Sequence, residues 1–283
     1  MAAKQQEAPD GNPPGARGEM QQDRFVGGAD LTRWNTPLGR FLARLARRVG
    51  ALLGPHAALV FTLAVGGLIA VSLTAVSAQV YDSVAESDGV AGLDHPLLQA
   101  AMALRSPGLD VAATAYTDVG GPIGMPIVAG IIMLVLALRR RSWTPVILIA
   151  AAAAGSLLMT VAGKQLIGRA RPPLADAVPP YEHSASFPSG HALNAVVIAG
   201  VVAYLLVLRQ HSPGARMLTI AVAALFALTI GLSRVFLGHH WFTDVLAAWT
   251  LGAAWLALVI TAHRLYLTTR RGAPGNRPSK GTS

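Results

Sequence analysis

Lys164-Gln-Leu-Ile-Gly-Arg-Ala-Arg171-Pro172 closes one apolar run, and Phe187-Pro188-Ser189-Gly190-His191 opens the next. Ser233-Arg234-Val-Phe-Leu-Gly-His-His240-Trp-Phe-Thr-Asp244 then joins two more. Cations and imidazoles at the edges of apolar segments need a reason to be there. A Lys or Arg at the middle of a membrane-spanning helix costs ~2.5–3.5 kcal/mol on insertion scales, and less near the interface. Reading the apolar runs as spans places all three stretches at one membrane face, with the rest of the chain as the scaffold that holds them there.

The composition agrees with that reading. Of 283 residues 53% are hydrophobic and only 13% charged, about half the charge of an ordinary soluble domain. The chain has no cysteine, which excludes disulfides, thiolate nucleophiles and cysteine metal sites. The net charge of +9 would raise nucleic acid as a partner in a soluble protein, but here its distribution points to lipid, and no nucleic-acid partner is expected.

Runs of about 20 apolar residues are long enough to cross a hydrocarbon core. They fall at about 57–80, 118–138, 143–164, 190–208, 216–235 and 243–262, which predicts an all-α, six-span helical bundle over 57–262. Residues 1–32, rich in Gly, Pro, Gln and charge, read as a disordered tail. Residues 33–56 read as a basic amphipathic interfacial helix. Leu38, Phe41, Leu42, Leu45, Val49 and Leu52 recur at helical spacing, and Arg40, Arg44, Arg47 and Arg48 lie on another face. The connection 81–117 is polar and mildly acidic, with a short interfacial helix at 96–104, and residues 263–283 form a basic tail. With the N-terminus inside, 18 of the 23 Lys and Arg residues are cytoplasmic, which places both termini inside. The exceptions are Arg105, Lys164, Arg169, Arg171 and Arg234, so the three stretches face outside the cell membrane.

Lys164, Arg171 and Arg234 converging on one place call for a polyanion, and a phosphate group is the match. Arg binds two phosphate oxygens with its planar fork, and Lys supplies a compact charge. Any one of them alone could pair with Asp118, Asp176 or Glu182 instead. Ser189-Gly190-His191 at a helix start offers free N–H groups, a hydroxyl and an imidazole to an anion, although by itself it is an ordinary N-cap. His240 and Asp244 are four apart and share a helix face. A carboxylate on one ring nitrogen frees the other as a nucleophile, while the bland reading of the pair is a helix-end hydrogen bond. His239 points about 100° away from its neighbour on a helix. Arg169 reads as headgroup-facing, and Asp176, Glu182 and His183 as part of a solvated loop, 173–187, over the site. Met125, Met133 and Met159 read as packing within spans.

Lys164-x6-Arg171-Pro172, Pro188-Ser189-Gly190-His191 and Ser233-Arg234-x5-His240-x3-Asp244 together resemble the type 2 phosphatidic acid phosphatase superfamily, with no motif position substituted. The resemblance covers about residues 57–262. It implies that His240 attacks phosphorus and forms a phosphohistidine, that Asp244 orients it, and that His191 protonates the leaving alkoxide and later activates water. Lys164, Arg171, Ser189, Gly190 and Arg234 would hold the phosphate oxygens, and neither a metal nor a cofactor is required.

The expected activity is thus metal-independent hydrolysis of a lipid phosphate or diphosphate. Undecaprenyl-type diphosphate, phosphatidylglycerol phosphate and phosphatidic acid are all in range, and the first is slightly favoured by an outward-facing site. Transfer of the phosphoryl group to another alcohol, or lipid-phosphate binding and transport without turnover, remain open on the same motifs. Vanadate-type halide oxidation is disfavoured by the membrane spans, and Ser–His peptide hydrolysis by the three cations.

Overall fold

The computed structural model describes residues 22–53, 66 and 90–271. The elements are a small hairpin, β1 (Phe25–Val26) and β2 (Ala29–Asp30), followed by helices α1 (Pro37–Leu53), α2 (Asp94–Ala103), α3 (Pro107–Asp118), α4 (Gly124–Arg140), α5 (Thr144–Ile167), α6 (Gly190–Val207), α7 (Pro213–Phe236) and α8 (Phe242–Arg271). Four of them, α5 to α8, are long and apolar enough to cross a membrane. The span expected at 57–80 lies, except for Gly66, outside the described residues.

The expected second span is shifted. Residues 107–118 form α3 with a Ser106 cap, and the apolar helix starts only at Gly124, leaving α4 with 17 residues. Gly120-Gly121-Pro122 breaks the chain between them, since Gly is costly in a helix and Pro disfavours helical backbone in the residue before it. Two tails also differ from expectation. Residues 22–32 carry the hairpin, closed by Arg24 donating to both Asp30 oxygens and by Thr32 bonding Asp30. Asp23 beside it pairs with Arg209 at 3.1 Å, on the far side of the bundle from the motifs. At the other terminus, residues 263–271 continue α8, and Arg264 donates to the Leu31 and Arg33 carbonyls.

Helix α6 is hydrophobic on every side, which suits a helix surrounded by protein. It packs against α4, α5, α7 and α8, with Leu193, Val197, Val201 and Leu205 fully buried. Without a hydrophobic drive between helices in lipid, close approach at small residues does the work. Trp255 of α8 lies over Gly155 of α5, where an added Cβ would come within 2.0 Å of its ring, and its indole N–H donates to Ala152 O. Trp249 uses Gly231 and Ala227 O of α7 in the same way. The outward faces of α4 (Ile127, Ile131, Leu134) and α7 (Leu218, Val222, Leu225) remain exposed and apolar, as a surface solvated by hydrocarbon would be.

Helix α1 packs on α8 through Ala43 and Ala46 against Leu265. The packed face is therefore the small-residue one, whereas Leu38, Phe41, Leu45 and Leu52 of the expected apolar stripe stay exposed. Arg40, Arg44, Arg47 and Arg48 are exposed as well.

Candidate active site

All eight residues singled out from the sequence gather at one end of the bundle. Lys164 ends α5, Ser189 precedes α6, Gly190 and His191 start it, Arg234 ends α7, and His240 with Asp244 flank the start of α8. The segment 168–189 lies across this end. Close packing fixes its seat: an added Cβ on Gly163 would stand 2.3 Å from the Pro188 ring. Gly238, with φ of +71°, makes the α7–α8 turn and brings its Cα against the Asp176 carbonyl. Arg105 donates to the Phe236 and Asp176 carbonyls at 2.7 Å each, tying the turn to the loop.

Asp244 and His240 are both buried. Arg171 Nη1 lies 3.3 Å from His240 Nε2. A guanidinium only donates, so Nε2 carries the lone pair and the ring proton sits on Nδ1. That nitrogen faces Asp244 Oδ2 at 3.5 Å and Ser186 Oγ at 3.4 Å. Asp244 Oδ2 also accepts from Ser186 Oγ at 2.5 Å and from the Trp241 N–H at 3.0 Å. Burial pulls the His240 pKa down to about 4. The ring is therefore neutral at physiological pH, with its free nitrogen turned toward a cation.

Three cations gather at this end of the bundle, and Arg171 is the one that meets that nitrogen. Arg234 is 2% exposed, and Ser233 beside it is anchored to Thr117 at 2.9 Å. Burial lowers the Arg171 pKa from its usual value, so this guanidinium is a cation short of water. Lys164 donates to Ser184 Oγ at 3.0 Å and to the Ala185 carbonyl. Ser189 is fully buried and its hydroxyl has no partner among the described residues. His191 and His240 share one cavity of about 800 Å³ with Lys164. The cavity continues between α4, α5 and α6 along Met125, Ala129, Met133, Ile149, Ala153 and Leu157, giving one polar end and a long apolar remainder.

Several readings of the surrounding residues are corrected. Glu182 is not a solvated loop residue. It sits inside the cation cluster, with Oε2 2.8 Å from Arg171 Nη2 and Oε1 on Arg234. Burial alone would raise its pKa, but Arg234 and Arg171 outweigh that and hold it at about 2. Arg169 does not face headgroups. It joins Asp244 Oδ1 to Asp94 Oδ2, the latter at 2.7 Å. His239 bonds the Val178 carbonyl at 2.7 Å through Nε2, while its Nδ1 lies 4.0 Å from Glu182 Oε1.

Asp94 and Ser186 escaped the sequence reading altogether. Asp94 accepts from both the Thr243 N–H and hydroxyl, capping α8 from 149 residues away. Ser186 sits in a Ser-rich stretch with nothing to distinguish it. Only the anomalous charge of Arg105 and Arg169, both outside the expected basic side, hinted that each has a partner.

Known proteins resemble this chain in sequence and in fold. Residues 143–266 match the PAP2 superfamily. Phosphatidylglycerophosphatase B of Bacillus subtilis (strain 168) is 33% identical over 176 residues, covering 61% of this chain and 84% of that protein. A transmembrane PAP2-type phosphatidylglycerolphosphate phosphatase from Bacillus subtilis, solved by crystallography, superposes with a TM-score of 0.58 at 29% identity, over 67% of this chain and 93% of that one. Likeness of this extent, in sequence and in fold, establishes that the chain belongs to the PAP2 superfamily.

Proposed function

We propose that this protein is an integral-membrane phosphatase that hydrolyses a lipid phosphate through a phosphohistidine on His240, without a metal. The observation that carries the reading is the lone pair of a buried, neutral His240 directed at Arg171 inside a three-cation cluster. A phosphate held by Lys164, Arg171, Arg234, the Ser189 hydroxyl and the Gly190 N–H presents its phosphorus to Nε2. The lone pair attacks, the P–O bond to the lipid breaks, and the leaving alkoxide takes a proton from His191. The imidazole, now phosphorylated and cationic, is supported by Asp244. Water then gives its proton to His191 and attacks phosphorus, and the P–N bond breaks to release inorganic phosphate. The cations supply the charge stabilisation that a metal gives in other phosphoryl transfers.

The apolar extension of the cavity supports a lipid substrate whose chain runs between α4, α5 and α6, in a volume within the ~300–1,000 Å³ of known ligand pockets. The names of the two relatives favour a glycerophospholipid such as phosphatidylglycerol phosphate over a polyprenyl diphosphate. The charge distribution supports termini on the cytoplasmic side and a site facing outward. The exposed arginines and apolar residues of α1 suit the headgroup layer of the inner leaflet.

The test is phosphate release by purified protein, with chelator present, from a panel of lipid phosphates and diphosphates. Release by wild type and its loss in His240→Ala is the expected result. Release that survives in His240→Ala, or that chelator abolishes, would overturn the mechanism.

A further inference from the structure

Arg169 is held in a fork between two carboxylates that differ in their place in the reaction. One is Asp244, the partner of the proposed nucleophile. The other is Asp94, the first residue of α2, well outside residues 143–266 that match the family. Side-chain exposure is 15% for Arg169, 4% for Asp94 and 0% for Asp244, so water screens the three charges little. Thr243 closes the group, its hydroxyl lying 2.9 Å from Arg169 Nη1 and 2.7 Å from Asp94 Oδ2.

A buried ion cluster is a poor choice for a plain structural latch, because apolar packing of the same volume is often as stable. Its position suggests a use for the charge instead. Asp244 must hold enough negative charge to support the cationic imidazole after attack, yet not so much that it protonates His240 beforehand. Arg169 draws charge from Asp244 Oδ1, and Asp94 draws Arg169 the other way. We propose that Asp94 and Arg169 form a positioning pair that fixes the orientation of Asp244 and sets the share of its charge available to His240. This inference rests on the phosphohistidine reading above.

The groups facing His240 can be enumerated. Asp244 comes from α8, Lys164 from α5, Arg171, Glu182 and Ser186 from the loop across the site, Arg234 from α7 and His191 from α6. The side chain of Arg169 reaches Asp244 directly, and the effect of the pair on His240 passes through that contact.

Removing each member of the pair then has opposite consequences. In Asp94→Asn the whole positive charge of Arg169 bears on Asp244, and the cationic imidazole loses support. In Arg169→Gln the cation is gone, and protonated His240 gains support. The acid limb of kcat/KM moves to lower pH in Asp94→Asn and to higher pH in Arg169→Gln. Both variants lose kcat by about tenfold to a hundredfold, the range for residues that orient a catalytic ligand, while KM stays within about twofold because the phosphate cradle is untouched. Arg169→Lys keeps the charge but not the three-way reach, so its acid limb stays at the wild-type position while kcat falls.

The experiment is a set of pH–rate profiles for the three variants and wild type on one lipid phosphate, with orthovanadate inhibition reporting that the cradle is intact. Opposite displacement of the two limbs is the expected result. Limbs that coincide with wild type, or move in the same direction, overturn the inference, as does a rise in KM at constant kcat. If Arg169→Gln does not fold, Asp94→Asn moving to lower pH with Arg169→Lys unmoved supports the pair, and any other combination overturns it. Wild-type protein without turnover, or an active His240→Ala, would instead remove the reading beneath it and this inference together. An active wild type, an inactive His240→Ala and unmoved limbs would sink the pair alone.

Discussion

Replacing Glu182 with glutamine removes an anion from the place where the proposed mechanism puts the phosphate. The carboxylate spans Arg171 and Arg234, two of the three cations of the cradle, so substrate has to displace it. Hydrogen bonds to charged groups contribute about 1.5–3 kcal/mol each, and two are at stake. Most of that returns when the freed carboxylate, 30% exposed already, becomes hydrated, and when phosphate takes over both guanidinium groups. A net competition of about 1–2 kcal/mol remains, which corresponds to roughly 5- to 30-fold in an equilibrium constant. Glu182→Gln should accordingly lower KM, and the inhibition constants of orthovanadate and inorganic phosphate, by about that factor. Glu182 hydrogen-bonds neither His240 nor Asp244, so the larger effect should fall on KM rather than on kcat. Steady-state kinetics on a lipid phosphate, with both inhibitors titrated against each protein, reads the effect directly. An unchanged or raised KM would refute the reasoning and make Glu182 a supporting residue of the cradle.

Ser186→Ala removes the 2.5 Å bond to Asp244. It should lower kcat about tenfold or more at nearly constant KM, a split that single-turnover and steady-state rates together resolve. Gly163→Ala places a methyl group 2.3 Å from the Pro188 ring. Overpacking of about 1–3 kcal/mol should appear as a lower unfolding temperature in detergent, together with weaker vanadate inhibition as Ser189 shifts. Ala153→Phe fills the apolar part of the cavity. It should reduce turnover of long-chain lipid phosphates while sparing a short-chain soluble phosphate, and equal loss on both would deny that the chain lies there. Stability should depend on pH with a definite sign. His240 titrates near 4 when folded against its usual 6.5, so between those values the unfolded chain binds the extra proton. The contribution of His240 to stability then falls as pH drops from 6.5 to 4, by up to roughly 1.4 kcal/mol per pH unit, and His240→Ala should make a thermal-unfolding series shallower across that window.

The residues that were legible in advance share one property: each is expensive where it stands. Lys164, Arg171 and Arg234 at the ends of apolar helices, and His240 spaced to meet Asp244, announce themselves because neighbouring residues cannot explain them. Helices α5 to α8 were legible for the complementary reason, since a long apolar run admits few other structures in lipid. Asp94 and Ser186 carry no such mark. An acid in a polar connection and a serine in a loop are ordinary until folding joins them to Thr243 and Asp244, 149 and 58 residues away. Glu182 reads from the sequence both as a loop residue and as a possible partner of the cations, and the second reading holds because Arg171 and Arg234 draw its carboxylate inward. The break at Gly120-Gly121-Pro122 was present in the letters, but the apolar residues on both sides concealed that one helix ends and another begins.

Helix α8 runs without interruption from Phe242 to Arg271, 30 residues, or about 45 Å at 1.5 Å per residue. That exceeds a ~30 Å hydrocarbon layer by about 15 Å. Asp94 pins the N-terminal end at Thr243, so the surplus emerges at the opposite end, where the carbonyls of Leu31 and Arg33 receive Arg264 and α1 lies alongside. A thicker or thinner bilayer is then accommodated by sliding or tilting at that far end, like a piling driven deeper or shallower into its bed. The end of the bundle that carries His240 then keeps its depth.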